Sequence, residues 1–192
     1  MRAFLRQTWV SVRLLIVMTV LLGVAYPLTI TVVGRLVPGK ADGSFVNDTA
    51  GRPVGSLHIG QGFGEPQWFW PRPSVAGSGY DSLSSGGSNL GPSNPDLVST
   101  IAERKSAVAA ANGIAPNLVP ADAVTASGSG LDPDISPEYA LQQVRRVAAA
   151  RNLSVEQVTT LVEETVQGRL LGFIGEPRVN VLELNLALER LG

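Results

Sequence analysis

The sequence predicts an α+β protein: a single N-terminal transmembrane helix followed by one extracytoplasmic domain, strand- and loop-rich in its first half and helical in its second. Three observations predict it. Residues 14–34 form an uncharged apolar run. Residues 37–95 are crowded with Gly, Ser, Pro and aromatics, the texture of strands and ordered loops. From Asn94 onward, capping residues recur ahead of stretches with helical apolar spacing.

At about 1.5 Å rise per residue, the apolar run covers a hydrocarbon core of roughly 30 Å. Arg2, Arg6 and Arg13 precede it, whereas Arg35 and Lys40 follow it. That bias orients the N-terminus to the cytoplasm and the domain to the far side. The expected division is a short cytoplasmic N-terminus at 1–13, a transmembrane helix at 14–36 and an extracytoplasmic domain at 37–192. Trp9 and Tyr26 are the candidate interface aromatics. A cleaved signal peptide is the competing assignment, with small residues near Gly23 and Ala25. Leu28, Ile30, Val32 and Val33 carry the apolar character past that point, which favours a retained span. Pro27 lacks a backbone donor and is expected to kink the helix. With Thr19, Thr29 and Thr31, the kink points to packing in a larger assembly; the simpler alternative is threonines bonded back to their own helix.

Beyond residue 35, eleven basic residues face sixteen acidic ones, a net charge of −5. The 157 residues there suffice for one domain with its own core. An acidic domain lacks the basic footprint of a nucleic-acid binder. With no cysteine there is neither a disulfide framework nor thiol chemistry. His58 is the only histidine, so a zinc site of three or four nitrogen or sulfur ligands is excluded. Its setting, Leu57-His58-Ile59, suits a strand residue better than a catalyst.

Within the loop-rich half, residues 55–61 and Trp68-Phe69-Trp70 are the β-type runs. Asn94 then caps a helix with Pro95 in its first turn and Asp96 opposing the dipole; it runs from Leu97 to Ala111 and ends at Gly113. Ser136-Pro137-Glu138 opens a second helix, to about Arg151. Ser154 and Gln157 form a capping box with Leu153 and Val158 as its staple, starting a third helix that stops at Gly168. Asn180 and Glu183 repeat the device. After them Leu182, Leu184, Leu186 and Leu188 alternate as in a strand. Val181, Leu184, Leu188 and Leu191 also lie at helical spacing, and Ala187, Glu189 and Arg190 favour a helix ending near Leu191.

The motifs that carry chemistry are few. Gly34-Arg35-Leu36-Val37-Pro38-Gly39-Lys40 matches a P-loop, but Ala41 replaces the magnesium-binding hydroxyl and the loop follows a membrane span. No Gly-x-Ser-x-Gly elbow occurs. Asp132 and Asp134 read first as a turn leading into the Ser136 cap. Two glycine-rich segments are more specific than a linker: residues 84–95 and residues 125–137. Backbone N–H groups of residues 84–95, like the helix start at Asn94, could form an anion nest, the simpler alternative being a structural loop. Residues 125–137 combine glycines for tight backbone geometry with a pre-set helix start.

These segments carry a resemblance. Arg72-Pro73-Ser74, Tyr80-Asp81, residues 85–95, residues 125–133, residues 143–148 and residues 172–185 resemble the C subunit of bacterial Kdp potassium-transporting ATPases, in order and over nearly the whole chain. Asp134 departs from the pattern, where a more basic or polar residue is expected. The resemblance implies a non-catalytic subunit of a high-affinity, ATP-driven potassium importer in the bacterial cell membrane, and a fold with one N-terminal membrane helix. It implies three partners besides membrane lipid: a channel-like potassium-binding subunit, a P-type ATPase subunit and a small single-helix subunit. The family is described as a catalytic chaperone that raises the ATPase subunit's affinity for ATP. The chain has no Asp-Lys-Thr-Gly-Thr phosphorylation motif, so hydrolysis falls to a partner.

The topology conflicts with direct ATP contact, because about 13 cytoplasmic residues are too few for a nucleotide pocket. An effect on ATP would then be transmitted through the complex as a coupling free energy. If nucleotide is held by this chain, the candidates are Gln143 and the segment Ser85, Gly86, Gly87 and Ser88. No cofactor is otherwise expected. The alternative function is a membrane-anchored extracytoplasmic enzyme or sugar-binding module, with Trp68, Phe69, Trp70 and Tyr80 as a stacking platform.

Overall fold

The apolar run folds as part of one long helix in the computed structural model, which describes every residue except Pro38, Lys40, Thr49 and Gly192. The helix comprises α1 (Arg2–Val20), a π-helical turn (Leu21–Ala25) and α2 (Tyr26–Arg35). None of its residues is buried. Its 34 residues exceed the ~20 that a bilayer core requires, so residues 2–13 continue the span as helix instead of forming a separate peptide. Pro27 cannot donate, and its ring would collide with the carbonyl of Gly23. The π turn contains that carbonyl and widens the helix there, so the disturbance predicted at Pro27 appears one turn earlier. Thr29 and Thr31 donate to the carbonyls of Ala25 and Pro27 at 2.8 Å, the local alternative for these hydroxyls.

The chain divides into two units, Met1–Phe45 and Val46–Gly192. From the boundary residue onward, β1 (Phe45–Asn47) pairs with β2 (Pro53–Ser56). Four helices follow: α3 (Pro95–Asn112), α4 (Pro137–Arg151), α5 (Val155–Thr165) and α6 (Val181–Glu189). Between them β3 (Asp134–Ile135) and β4 (Val179–Asn180) form an antiparallel pair. The caps are where the sequence predicts them. Asn94 Oδ1 accepts from the N–H groups of Asp96 and Leu97 at 2.8 and 3.3 Å, and Gly113 closes α3 in the left-handed region. Ser136 and Asn180 accept from Tyr139 and Glu183, and Ser154 with Gln157 makes a reciprocal capping box. The ambiguous last segment is helix, because Leu184 and Leu188 share the buried face with Val181.

Helix α4 is central, packed on α3 and α5, with α6 against α5. The core joins Tyr139, Val144 and Val147 of α4, Val158 and Val162 of α5, Leu184 and Leu188 of α6, Val108 of α3 and Phe69 from the loop-rich half. Three expectations fail. Residues 57–61 and 68–70 are not strands, and His58 sits in an exposed turn. The third helix ends at Thr165, not Gly168, because Gln167 pairs with Arg178 to start a hairpin.

Residues 68–70 lack a strand partner because side chains take its place. Asn185 of α6 accepts from the Phe69 N–H at 2.8 Å and donates to the Phe69 carbonyl at 3.0 Å. Gln143 of α4 does the same for Trp70, at 2.7 and 3.1 Å. Both carboxamides are buried, as is Phe69. Each carboxamide uses one donor and one acceptor, which matches the N–H and C=O of a single residue as a neighbouring strand would. Arg146 adds donors to the Trp68 carbonyl, Asn112 and Gln143 at 3.0, 3.0 and 2.6 Å, and its guanidinium lies 3.8 Å above the Trp70 ring.

Replacing Asn185 with leucine keeps the branching and heavy-atom count but strands a buried N–H and a buried carbonyl, each worth about 1–3 kcal/mol. Asn185→Leu is expected to lower the unfolding free energy of the domain by about 3 kcal/mol in urea titrations in detergent. Leu83→Ala, at a site 96% exposed, should change it by less than ~0.5 kcal/mol. Equal stability of the two variants would show that the amide pairing does not hold the fold.

Candidate functional site

The two glycine-rich segments singled out in the sequence meet each other. The Gly86 N–H and the Ser85 hydroxyl both donate to the Ser129 carbonyl, at 2.8 and 3.0 Å. Gly130 has φ +65, and a Cβ there would lie 2.7 Å from the Gly86 carbonyl oxygen and 2.8 Å from the Ala76 nitrogen. Only glycine fits such a crossing. Ser74 ties the same place, donating to the Gly130 carbonyl at 2.6 Å and accepting from the Tyr80 N–H at 2.8 Å. Burial pushes the Tyr80 phenol up to about 12, so it stays a neutral donor to the Arg72 carbonyl.

Gln143 lies elsewhere in the bonding scheme. Its carboxamide is buried and bonded to both backbone groups of Trp70 and to Arg146. Burial lowers Arg146 to about 10, still charged at neutral pH. Ser85 and Gly86 bond across to Ser129, Gly87 passes close to Gly128, and no hydrogen bond joins residues 85–88 to Gln143 among the described residues.

The aromatic cluster is largely occupied from within. Phe69 is in the core, Trp70 is covered by Arg146, and the Arg151 guanidinium stands 4.3 Å from the Trp68 ring centroid. Tyr80 packs over Gly62, where a Cβ would come within 3.2 Å of its ring. Beside Trp68 opens a cleft of about 410 Å³, lined by Asp48, Arg52, Phe63, Leu182 and Glu189 among others. A second cleft of about 460 Å³ lies along Arg72, Asp132, Asp134, Glu176 and Arg178.

That second cleft is a ladder of ion pairs. Asp132 holds Arg72 at 2.8 Å, and Asp134 holds Arg178 at 3.0 Å. Asp132 also accepts from the Asp134 N–H at 3.1 Å, which is the turn predicted for this pair. Asp134 also accepts from the Asn180 side chain at 3.2 Å. Burial raises its carboxyl, and Arg178 opposes that rise. Each carboxylate is committed to an arginine, so the pair is not arranged for acid–base work. Among the described residues no group of three or more His, Cys, Asp or Glu side chains is placed to hold a metal ion. In the P-loop-like motif Gly34 and Arg35 end α2, while Pro38 and Lys40 lie outside the described residues.

Sequence reasoning missed the amide clamp and the hairpin after α5. Asn185 offered one signal: an amide on the apolar face of a helix that also carries Leu184 and Leu188. Such a residue needs a partner with both a donor and an acceptor.

The chain is similar to known proteins along its length. The model of the family described as "KdpC: K+-transporting ATPase, c chain" matches residues 8–190. A Kineococcus radiotolerans protein named potassium-transporting ATPase KdpC subunit is 60% identical over 184 residues, covering 96% of this chain and 93% of its own. Proteins of the same name from Beijerinckia indica and Mycobacterium tuberculosis are 53% and 50% identical. They cover 91% and 97% of this chain, and 89% and 99% of their own. With the match spanning both the long helix and the clamped domain, this chain belongs to the KdpC family of potassium-transporting ATPase subunits.

Proposed function

We propose that this chain is the non-catalytic C subunit of an ATP-driven potassium importer of the Kdp type. The family match over residues 8–190 is the observation that carries this reading. Among the described residues one helix is long and apolar enough to cross a membrane, which supports a single-pass anchor in the bacterial cell membrane. The arginines at 2, 6 and 13 support a cytoplasmic N-terminus with the domain outside.

The partners follow from the family: a channel-like potassium-binding subunit, a P-type ATPase subunit that hydrolyses ATP, and a small single-helix subunit. In this reading the helix packs on the channel-like subunit, and the domain sits over its outer entrance and fixes the assembly. The exposed side chains all along α1 and α2 support such packing. Any rise in ATP affinity is then a coupling free energy passed through the complex. The commitment of Gln143 to Trp70 and Arg146 supports that indirect route. Direct nucleotide contact would be sought at Gln143 and at Ser85, Gly86, Gly87 and Ser88. The internal cover over Trp70 and Phe69 speaks against the alternative, a sugar-binding module stacked on those rings.

Protease added to intact spheroplasts is expected to digest the domain beyond residue 46. Cleavage confined to inside-out vesicles would reverse the orientation and bring direct ATP contact within reach. The isolated chain should hydrolyse no ATP and bind it no better than millimolar by calorimetry. Removal of residues 94–192 should still abolish the potassium-stimulated ATPase activity of the complex. Micromolar binding by the chain, lost in a folded Gln143→Ala variant, would overturn the indirect route.

A further inference from the structure

Residues 167–178 form a hairpin whose outer part, 168–178, is exposed throughout. Gln167 and Arg178 exchange backbone hydrogen bonds at 2.8 and 3.0 Å, and Leu170 and Ile174 do so at 2.9 and 3.0 Å. Between these rungs Arg169 pairs with Glu176 at 2.7 Å. Beyond that pair the six residues 170–175 carry no charge, and four large apolar side chains project from them. Leu170, Leu171 and Phe173 are 68, 77 and 73% exposed, and Ile174 is 48% exposed. Leu171 also holds φ +53, a conformation bulky residues rarely adopt. No packing within the domain explains a leucine at that place.

We propose that this hairpin is a second membrane contact, its tip of Leu170, Leu171, Phe173 and Ile174 inserted at the headgroup–acyl boundary of the bilayer that holds the span. The inference rests on the reading of Arg2–Arg35 as a membrane anchor.

Size, charge and tether favour lipid as the occupant. At about 150–250 Å² for a large side chain, the exposed tip amounts to roughly 500 Å², short of the ~800 Å² per partner of a stable protein interface. An inserted loop must leave its ions in water or among headgroups. Here Arg169 and Glu176 neutralise one another at the base of the tip, and Arg178 is held by Asp134. Nine residues, 36–44, link the long helix to β1. They reach at most ~30 Å, comparable with the diameter of a domain of about 150 residues, so the linker keeps the domain within about its own width of the end of the span. An apolar tip held there meets lipid without a partner having to supply a matching pocket.

The chain has no cysteine, so a single introduced one carries the only nitroxide. Leu171→Cys and Phe173→Cys chains, spin-labelled and reconstituted at full length in phosphatidylethanolamine–phosphatidylglycerol vesicles, are compared with Leu83→Cys, whose native residue is 96% exposed on another loop. Oxygen partitions into lipid and a nickel chelate stays in water. The oxygen-to-nickel accessibility ratio at 171 and 173 is expected to exceed that at 83 severalfold. An Ile174→Cys label should show the same high ratio, and adding Leu171→Asp and Phe173→Asp should lower it at least threefold. Nickel-dominated access at the tip of chains that still float with vesicles would overturn the proposal and leave the anchor standing. Shielding from both reagents that appears only in the assembled complex would identify a pocket on a partner subunit instead. Chains that fail to float would remove the anchor and the inference together.

Discussion

The domain depends on two side-chain amides acting as a strand. Asn185 and Gln143, on different helices, grip consecutive peptide units at Phe69 and Trp70. They set the register of the loop-rich half on the helical half together with Arg146 and the Arg72–Asp132 pair, since the described β-ladders of the domain are only short pairs. Burial makes the constraint strict: an unpaired amide or peptide group in this core costs more than a paired one gains. Held at 69 and 70, the chain next delivers Arg72 to Asp132 and the Tyr80 hydroxyl to the Arg72 carbonyl. The crossing of the two glycine-rich segments at Gly130 closes the same region.

The helical half was legible in the sequence because its signals are local. A cap is decided by residues within one turn, so Asn94, Ser136, Ser154 and Asn180 mark their helices correctly. The alternating leucines at the end resolved as helix once Asn185 and Leu184 found partners on one face. The loop-rich half was not legible, since its order comes largely from contacts 44 to 116 residues away in the chain. Trp68-Phe69-Trp70 has the composition of a strand and, at Phe69 and Trp70, strand-like backbone bonding, yet the partner of Phe69 is Asn185, 116 residues distant. Gln143 attracted attention as a polar residue in a family motif, and the structure gives it a structural occupation that spacing alone could not reveal. Gly168 looked like a helix stop, but the ladder begun by Gln167 and Arg178 ends α5 earlier.

The surface left over is consistent with an accessory role. Arginine guanidinium groups cover the indole faces, the paired carboxylates of the Asp132–Asp134 turn are taken up by arginines, and the glycine loops bond to each other. What remains available is shape: an exposed apolar helix of 34 residues and an apolar hairpin tip on a braced domain. Those are means of attachment and positioning.

The proposed role stands or falls on whether the chain works as part of a larger assembly. Affinity purification of the full chain in mild detergent, with mass identification of everything retained, tests that most directly. The account predicts a P-type ATPase subunit, a channel-like subunit and a small single-helix protein in constant ratio to this chain. Recovery of the chain alone, from cells whose ATP-driven potassium uptake is intact, would contradict it.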